Sequence, residues 1–323
     1  MKAIVVDHHG GPEVLELREV VSPTMGDGDI LVSLEAAGVN FLDTYQRAGI
    51  YQMELPYTPG LEGAGVVEAI GANVQGISPG DTVAWCGSLG SYAEKIAVAA
   101  DKAVLVPAGV TALQAASVML QGLTAHYLTT SVFEVKPGTT ALVHAAAGGV
   151  GLLLCQMISQ RGGTVLATVS TTEKEVAAKE AGAAHVIRYD TEGVAARVRE
   201  ILGGTGVQVV YDGVGASTFQ GSLDSLAPRG TLALFGQASG PVPTFDPQIL
   251  NEKGSLLLTR PSLTNFTQTP EELRWRASEV FESVASGQLK LAISGTYPLA
   301  KAHTAHEDLQ ARRTSGKLLL AIN

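Results

Sequence analysis

The sequence predicts an α/β protein in two parts, a mostly β, partly barrel-shaped unit and a doubly wound parallel sheet. Three observations carry this expectation. Short valine- and glycine-rich runs, separated by turns of Gly, Pro and Asp, fill the first third of the chain. From about Thr111 the apolar period becomes that of a helix. From Ala141 onward strands and helices alternate, as in a parallel sheet covered by helices on both faces.

The early strands are expected at Lys2 to Val6, Asp29 to Val39, Gly63 to Gly71, Asp81 to Trp85 and Ser91 to Val98. "SPTMGDGD" and "ISPGD" supply turns between them. "TALQAASVMLQGLTAHYLTT", from Thr111, has helical apolar spacing. Strands follow at Ala141 to His144, Thr164 to Val169, His185 to Tyr189, Val207 to Asp212, Thr231 to Phe235 and Ser255 to Thr259. The helices between them are expected at Val150 to Gln160, Thr172 to Ala181, Gly193 to Leu202 and Gly215 to Leu226. "PEELRWRASEVFESVASGQL" opens with Pro270 and two glutamates, which suit a helix start, and ends near Gly287. "AKAHTAHEDLQARRTSG" reads as another helix and "KLLLAI" as a closing strand. The expected division is 1–122, then 123–262, with 263–323 returning to the first unit.

Composition narrows the class. Hydrophobic residues make up 46% of the 323 and charged residues 16%, enough for a sizeable core and too apolar for disorder. A net charge of -9 without a basic block argues against nucleic acid or an anionic membrane as partner. The two cysteines, Cys86 and Cys155, have no metal-like or redox-like spacing, which excludes a disulfide framework and fits a reducing compartment. The start "MKAIVVDHHG" reaches Asp7 too early for a signal peptide, so a cytoplasmic protein is expected. Ala141 to Ile158 approaches the length of a membrane span. His144, Gly148, Gly149, Gly151 and Gln156 interrupt it, and flanking anchors are missing.

The turn "AAGGVG", Ala146 to Gly151, lies between a strand and a helix, inside a βαβ unit of about 30 residues. Gly148 would let the backbone approach a pyrophosphate, and Gly151 would let the helix pack closely on the strand. The N–H groups of the first helical turn, including Gly149 and Val150, would face the phosphates. Ala146 stands where the first glycine of G-x-G-x-x-G would be. A dinucleotide site is therefore expected, against the plainer reading of a βα turn.

An acid usually ends the second strand of an NAD site, roughly 20 residues past the loop. Here the strand ends at Ser170, followed by Thr171 and Thr172. A 2′-phosphate would meet hydroxyls, with Lys174 one helical turn away to pair with it. Glu173 stands against this, and the competing reading of Lys174 is an ordinary surface lysine. Tyr189, ending the third strand, is a second adenosine contact or a half-buried strand-end residue. NADPH is expected over NADH.

"GVNFLDTYQRAGIY", "PGLEGAGVV", "HAAAGGVG", "VVYDGVG", "LFGQASG", "LLTRPSL" and "RRTSGK" in this order resemble the medium-chain dehydrogenase/reductase superfamily, in its zinc-independent, ζ-crystallin-like quinone oxidoreductase branch. The resemblance implies a Rossmann-type NADPH-binding domain and a GroES-like catalytic domain. It places Asn40, Asp43, Tyr45 and Tyr51 at the substrate cleft, with Asn40 also beside the cofactor. It adds Thr124, the Phe235 to Gly240 loop (Phe235, Gly236, Gln237 and Ser239) and Arg312 as cofactor contacts. Tyr45 and Tyr51 would stack on a planar substrate or donate a hydrogen bond, or only shape the pocket. In zinc members of the superfamily a cysteine stands at the position of Asn40 and a histidine at that of Leu61, and neither residue here replaces them. No metal is therefore expected. "HTAH", His303 to His306, reads as a solvated helix face rather than a ligand pair, and "YPLAK", Tyr297 to Lys301, as a strand-to-helix junction. The expected activity is hydride transfer from NADPH to a quinone. The rivals are an alkenal or enone double-bond reductase and an NADPH-binding redox sensor or crystallin-like protein with little turnover. "KGSLLLTR" reads as an apolar edge strand, which in the resembled family pairs across a two-fold axis, so a homodimer is expected.

Overall fold

The computed structural model describes residues 1–311 and 313–322. The chain divides into two compact units, Met1–Leu123 with Thr267–Asn323, and Thr124–Phe266.

The first unit opens with β1 (Lys2–Val5) and β2 (Glu16–Glu19), an antiparallel pair. β2 reads "ELRE" and has no apolar alternation, so periodicity does not reveal it. The spine is β3 (Asp29–Val39). Its Ile30, Val32 and Leu34 are buried while Leu31 and Ser33 are half-buried, the period-2 signature of a strand with one face on a core. That face packs with Trp85, Val98, Leu318 and Leu320. Each such fully buried aliphatic side chain contributes about 1.5–3 kcal/mol. After Asn40 comes helix α1 (Phe41–Arg47), then β4 (Glu62–Ile70), β5 (Thr82–Cys86), β6 (Lys95–Ala99) and β7 (Ala103–Leu105). Helix α2 (Ala112–Tyr127) carries the chain into the second unit and ends in a π turn, Leu128–Val132.

The second unit alternates strand and helix throughout: β8 (Thr140–Val143), α3 (Gly149–Gln160), β9 (Thr164–Val169), α4 (Thr172–Glu180), β10 (His185–Arg188), α5 (Val194–Ile201), β11 (Val207–Asp212), α6 (Phe219–Ser225), β12 (Leu226–Leu234), α7 (Gln248–Glu252) and β13 (Leu257–Thr259). Its sheet is parallel in the order β10-β9-β8-β11-β12-β13. This is the doubly wound Rossmann order, and the reversal between β8 and β11 opens a ligand crevice at the strands' carboxyl ends. Ala141, Leu142 and Val143 of β8, and Val209, Val210 and Tyr211 of β11, are fully buried, as strands covered on both faces must be.

The chain returns to the first unit with α8 (Pro270–Ala285), β14 (Ile293–Pro298), α9 (Ala302–Gln310) and β15 (Lys317–Ala321). The Thr269 hydroxyl caps α8 by accepting from Glu272 N–H at 3.2 Å. The large sheet of this unit runs β14-β15-β3-β4-β5-β7, and β6 pairs with the first half of β3 on the edge whose second half takes β15.

Among the boundaries that differ from the sequence expectation, which include the starts of β6 at Lys95 and β12 at Leu226, those of α6 and β13 have local reasons. Helix α6 starts at Phe219 rather than Gly215, because Gly215 has φ +91 and Asp212 Oδ1 accepts from the Val214 and Gly215 N–H groups. Strand β13 starts at Leu257 because Ser255 lies in the left-handed region at φ +57.

Candidate functional site

In the second unit the predicted phosphate turn forms as a strand–turn–helix. β8 ends at Val143, and Ala145 takes φ +48 to reverse the chain. Gly148 is the N-cap of α3. Gly149, Val150 and Gly151 form the helix's first turn, where N–H groups have no partner four residues back. A Cβ on Gly151 would lie 2.7 Å from Ala146 Cα and inside contact distance of the Ala145 carbonyl, so only glycine lets α3 sit this close to the turn. A Cβ on Gly148 would meet only the Ala145 carbonyl, at 3.1 Å.

Beside it, β9 ends at Val169 and hands over to Ser170, Thr171 and Thr172. Thr171 caps α4 by accepting from Lys174 N–H at 3.3 Å. Lys174 is half-buried in the first turn of α4. The Glu173 carboxyl is held below its usual range by its own backbone N–H and by the Thr171 hydroxyl, so an ionised acid does stand at this turn. Tyr189 follows β10 and is 46% exposed, with its N–H on the Val169 carbonyl at 3.2 Å. Sequence reasoning passed over Arg188, the last residue of β10, whose Nη1 donates to Thr172 Oγ1 at 3.1 Å.

At the ends of β11 and β12 two loops are bonded together. Ala238 and Ser239 donate backbone N–H groups to Gly213 and Val214 carbonyls at 3.2 and 2.8 Å, and Ala216 N–H donates to the Gly240 carbonyl at 3.1 Å. Ser239 Oγ donates to the Val214 carbonyl at 2.8 Å and accepts from Ser217 N–H at 3.0 Å. Phe235 and Gly236 pack on Gly213 so closely that a Cβ on Gly213 would lie 2.9 Å from the Phe235 ring. Phe235, Gly236, Gln237 and Ser239 are half-buried along this loop. A buried chain ties the crevice strands together. Ser222 donates to Asp212 Oδ2 at 2.7 Å and bonds His144 Nε2 at 3.0 Å, while His144 Nδ1 bonds Thr168 Oγ1 at 3.1 Å. Burial keeps His144 below its ordinary pKa, so it is neutral and Nε2–H donates to Ser222. Thr124, 7% exposed, begins this unit. Arg312 lies outside the described residues.

In the first unit, Asn40, between β3 and α1, is 4% exposed. Its Nδ2 donates to Glu62 Oε2 at 2.9 Å and to the Gly38 carbonyl at 3.5 Å. Its Oδ1 accepts from Lys317 Nζ at 2.8 Å and from Gln121 at 3.5 Å. Lys317 also forms a buried ion pair with Glu62, and Glu62 Oε1 accepts from Leu120 N–H at 2.7 Å. The carboxamide is thus saturated within the unit. A zinc ion does not fit here: Asn40 and Leu61 offer no thiolate or imidazole, and an ammonium already neutralises Glu62. Among the described residues no group of three His, Cys, Asp or Glu side chains is arranged to hold a metal.

Asp43 caps α1 by accepting from Asn40 N–H at 2.8 Å. It is fully buried, and burial pushes its carboxyl up to about 7. Tyr92 Oη donates to Asp43 Oδ2 at 3.1 Å and meets His306 Nε2 at 3.0 Å, and His306 Nδ1 accepts from Arg47 Nη1 at 3.1 Å. This corrects the sequence expectation for "HTAH": His306 has no exposure and faces the core of α9, because Arg47 and Tyr92 satisfy both ring nitrogens. Burial and the Arg47 charge hold it down to about 3, hence neutral. Tyr45 and Tyr51 pack edge to face, with centroids 5.8 Å apart and planes at 86°. Tyr45 is half-buried and Tyr51 is 38% exposed. Of the four residues expected at the substrate, only these two present substantial surface.

Comparison with known proteins decides the family. Residues 26–108 match the alcohol dehydrogenase GroES-like domain, and residues 149–278 match the zinc-binding dehydrogenase family. A quinone oxidoreductase of Pseudomonas aeruginosa is 45% identical over 99% of both chains. The chain belongs to the quinone oxidoreductase branch of the medium-chain dehydrogenase/reductase superfamily. Within that superfamily a 2-haloacrylate reductase of a Burkholderia species is 40% identical over 98% of both chains. A mycobacterial structure complexed with NADPH is 52% identical, with a TM-score of 0.96 over 99% of this chain and 100% of that one. The Escherichia coli quinone oxidoreductase complexed with NADPH is 43% identical, with a TM-score of 0.98 over 99% of this chain and 100% of that one.

Proposed function

We propose that this chain is a zinc-independent, NADPH-dependent quinone reductase. The observation that carries the cofactor choice is the end of β9, where Ser170, Thr171 and Thr172 replace the acid that would receive an unphosphorylated ribose, and Lys174 stands in the next turn. The unit Thr124–Phe266 is then the NADPH-binding domain, and the remainder is the catalytic domain. Gly148 to Gly151 hold the pyrophosphate on backbone N–H groups at the start of α3. Ser170, Lys174 and Tyr189 hold the adenosine end, and the Phe235 to Ser239 loop, with Thr124, completes the cofactor contacts of this unit.

NADPH supplies a hydride when bound, and a quinone accepts it without a strong Lewis acid because the resulting negative charge delocalises. The chain's own residues orient the acceptor and exclude water. Tyr45 and Tyr51 present a rigid aromatic edge on which a planar acceptor stacks. Their hydroxyls are the groups able to hydrogen-bond the product oxyanion, which takes its proton from them or from solvent. Asn40 and Asp43 act as positioning residues: the Asn40 carboxamide is held by Glu62 and Lys317, and Asp43 caps the helix that carries Tyr45. We also propose that the protein is a cytoplasmic homodimer paired along β13, an edge strand with Leu257 60% exposed. Light scattering on the eluted protein should give twice the chain mass, and a monomer would overturn that part. No helix among the described residues is long and apolar enough to cross a membrane.

The test is NADPH oxidation by the purified protein with a panel of benzoquinones, naphthoquinones, alkenals and 2-haloacrylate, before and after chelation. Turnover of quinones that survives chelation is expected. The similarity to the 2-haloacrylate reductase favours one second reading, a reductase of activated double bonds, which faster turnover of the alkenals or the haloacrylate would establish instead. Tight NADPH binding with no acceptor turned over would refute both and leave a binding protein.

A further inference from the structure

We propose that Arg188 is a second cationic contact for the cofactor's 2′-phosphate and, together with Lys174, sets the preference for the phosphorylated cofactor. This rests on the NADPH reading above. Arg188 ends β10 directly opposite Val169, the residue that ends β9. Its guanidinium is gripped along one edge by Asp190, with Nε to Oδ1 at 2.9 Å and Nη2 to Oδ2 at 2.8 Å. That two-point bond fixes the plane of the fork. The remaining nitrogen, Nη1, reaches Thr172 Oγ1 at 3.1 Å. The charged head is therefore aimed at the hydroxyl turn between β9 and α4, where the 2′-phosphate is expected. The Tyr189 N–H on the Val169 carbonyl fastens this end of β10 to β9, so the sheet rather than a loose side chain sets the position of the cation.

The local charge gives the reason. Glu175 and Glu192 are paired with Lys179 and Arg197, so without Arg188 the turn would hold Lys174 against Glu173 and Asp190, one negative charge in excess, which repels a phosphate dianion. Arg188 removes that excess and presents donors in a geometry that suits phosphate. Asp190 then acts as a positioning residue that holds one edge of the fork, and the ligand meets the other edge, where Nη1 also donates to Thr172.

The probes are 2′,5′-ADP and 5′-AMP, which differ here in the 2′-phosphate, titrated calorimetrically into the whole protein. Arg188→Ala should weaken 2′,5′-ADP about tenfold or more and change 5′-AMP less than about twofold, the loss of one charge-assisted contact. Arg188→Lys, which keeps the charge and loses the fork, should fall between wild type and Arg188→Ala. NADPH and NADH should follow the same pattern. Unchanged 2′,5′-ADP binding in Arg188→Ala, in a protein where Lys174→Ala abolishes the preference, would overturn the role of Arg188 and leave the NADPH reading intact. An equal loss for both nucleotides would also overturn it, as a general disturbance of the turn. A wild type that binds 2′,5′-ADP no more tightly than 5′-AMP would instead remove the reading on which the proposal rests.

Discussion

Replacing Lys317 with methionine strands the Glu62 carboxylate in the interior. Glu62 has no exposure and Lys317 is 3% exposed, so solvent cannot screen what is left. Two neutral donors would remain, Leu120 N–H at 2.7 Å and Asn40 Nδ2 at 2.9 Å. They do not compensate a full charge, and breaking such a pair costs about 3–5 kcal/mol. Adding Glu62→Gln removes the stranded charge and restores part of that loss: the amide oxygen accepts from one of the two donors, while its NH2 faces the other. Both tryptophans, Trp85 and Trp275, lie in the same unit as the pair, so their fluorescence during urea unfolding reports on that unit. A single substitution costing less than about 1 kcal/mol, or a double variant no more stable than the single, would refute the account of a charge pair kept by mutual compensation.

Gly151→Ala should weaken NADPH binding at least about tenfold, because the new Cβ forces α3 away from the Ala145–Ala146 turn and moves the N–H groups meant for the pyrophosphate. Fluorescence titration with NADPH measures this, and unchanged affinity would mean that α3 does not carry the phosphates. Asp43→Asn tests the raised carboxyl. Burial puts Asp43 at about 7, against an unfolded value near the ordinary 3.8. Between those values the folded state holds the extra proton, so stability declines as pH rises, with a slope of up to about 1.4 kcal/mol per pH unit, and levels off above the folded value. The asparagine variant, which has no proton to hold, should lose that slope in urea titrations at several pH values. An unchanged slope would assign the effect to another group.

The sequence by itself determined the parts of this protein whose physics is local. The period change near Thr111, the strand–helix alternation and the turn from Ala146 to Gly151 were legible because a strand, a helix and a close-packed glycine each leave a short-range pattern. The absence of an acid at Ser170 was legible for the same reason: the position lies at a fixed distance from the loop. Strand β2 was hidden because its "ELRE" has no alternation, and α6 began late because Asp212 and the left-handed Gly215 hold the preceding turn.

Only the tertiary structure decided which polar side chains meet. His306 and Arg47 are 259 positions apart, and Lys317 and Asn40 are 277 apart. No periodicity joins such residues, so His306 looked like part of a solvated face when it is the centre of a buried chain from Arg47 through Tyr92 to Asp43. Arg188 carries no signal in the sequence, and only the parallel register sets it beside Val169 with its fork toward Thr172. The two buried clusters share one physical reason. Hydrophobic patterning chooses the elements, but the partner of a charge is chosen by desolvation, which depends on what the folded chain places around it.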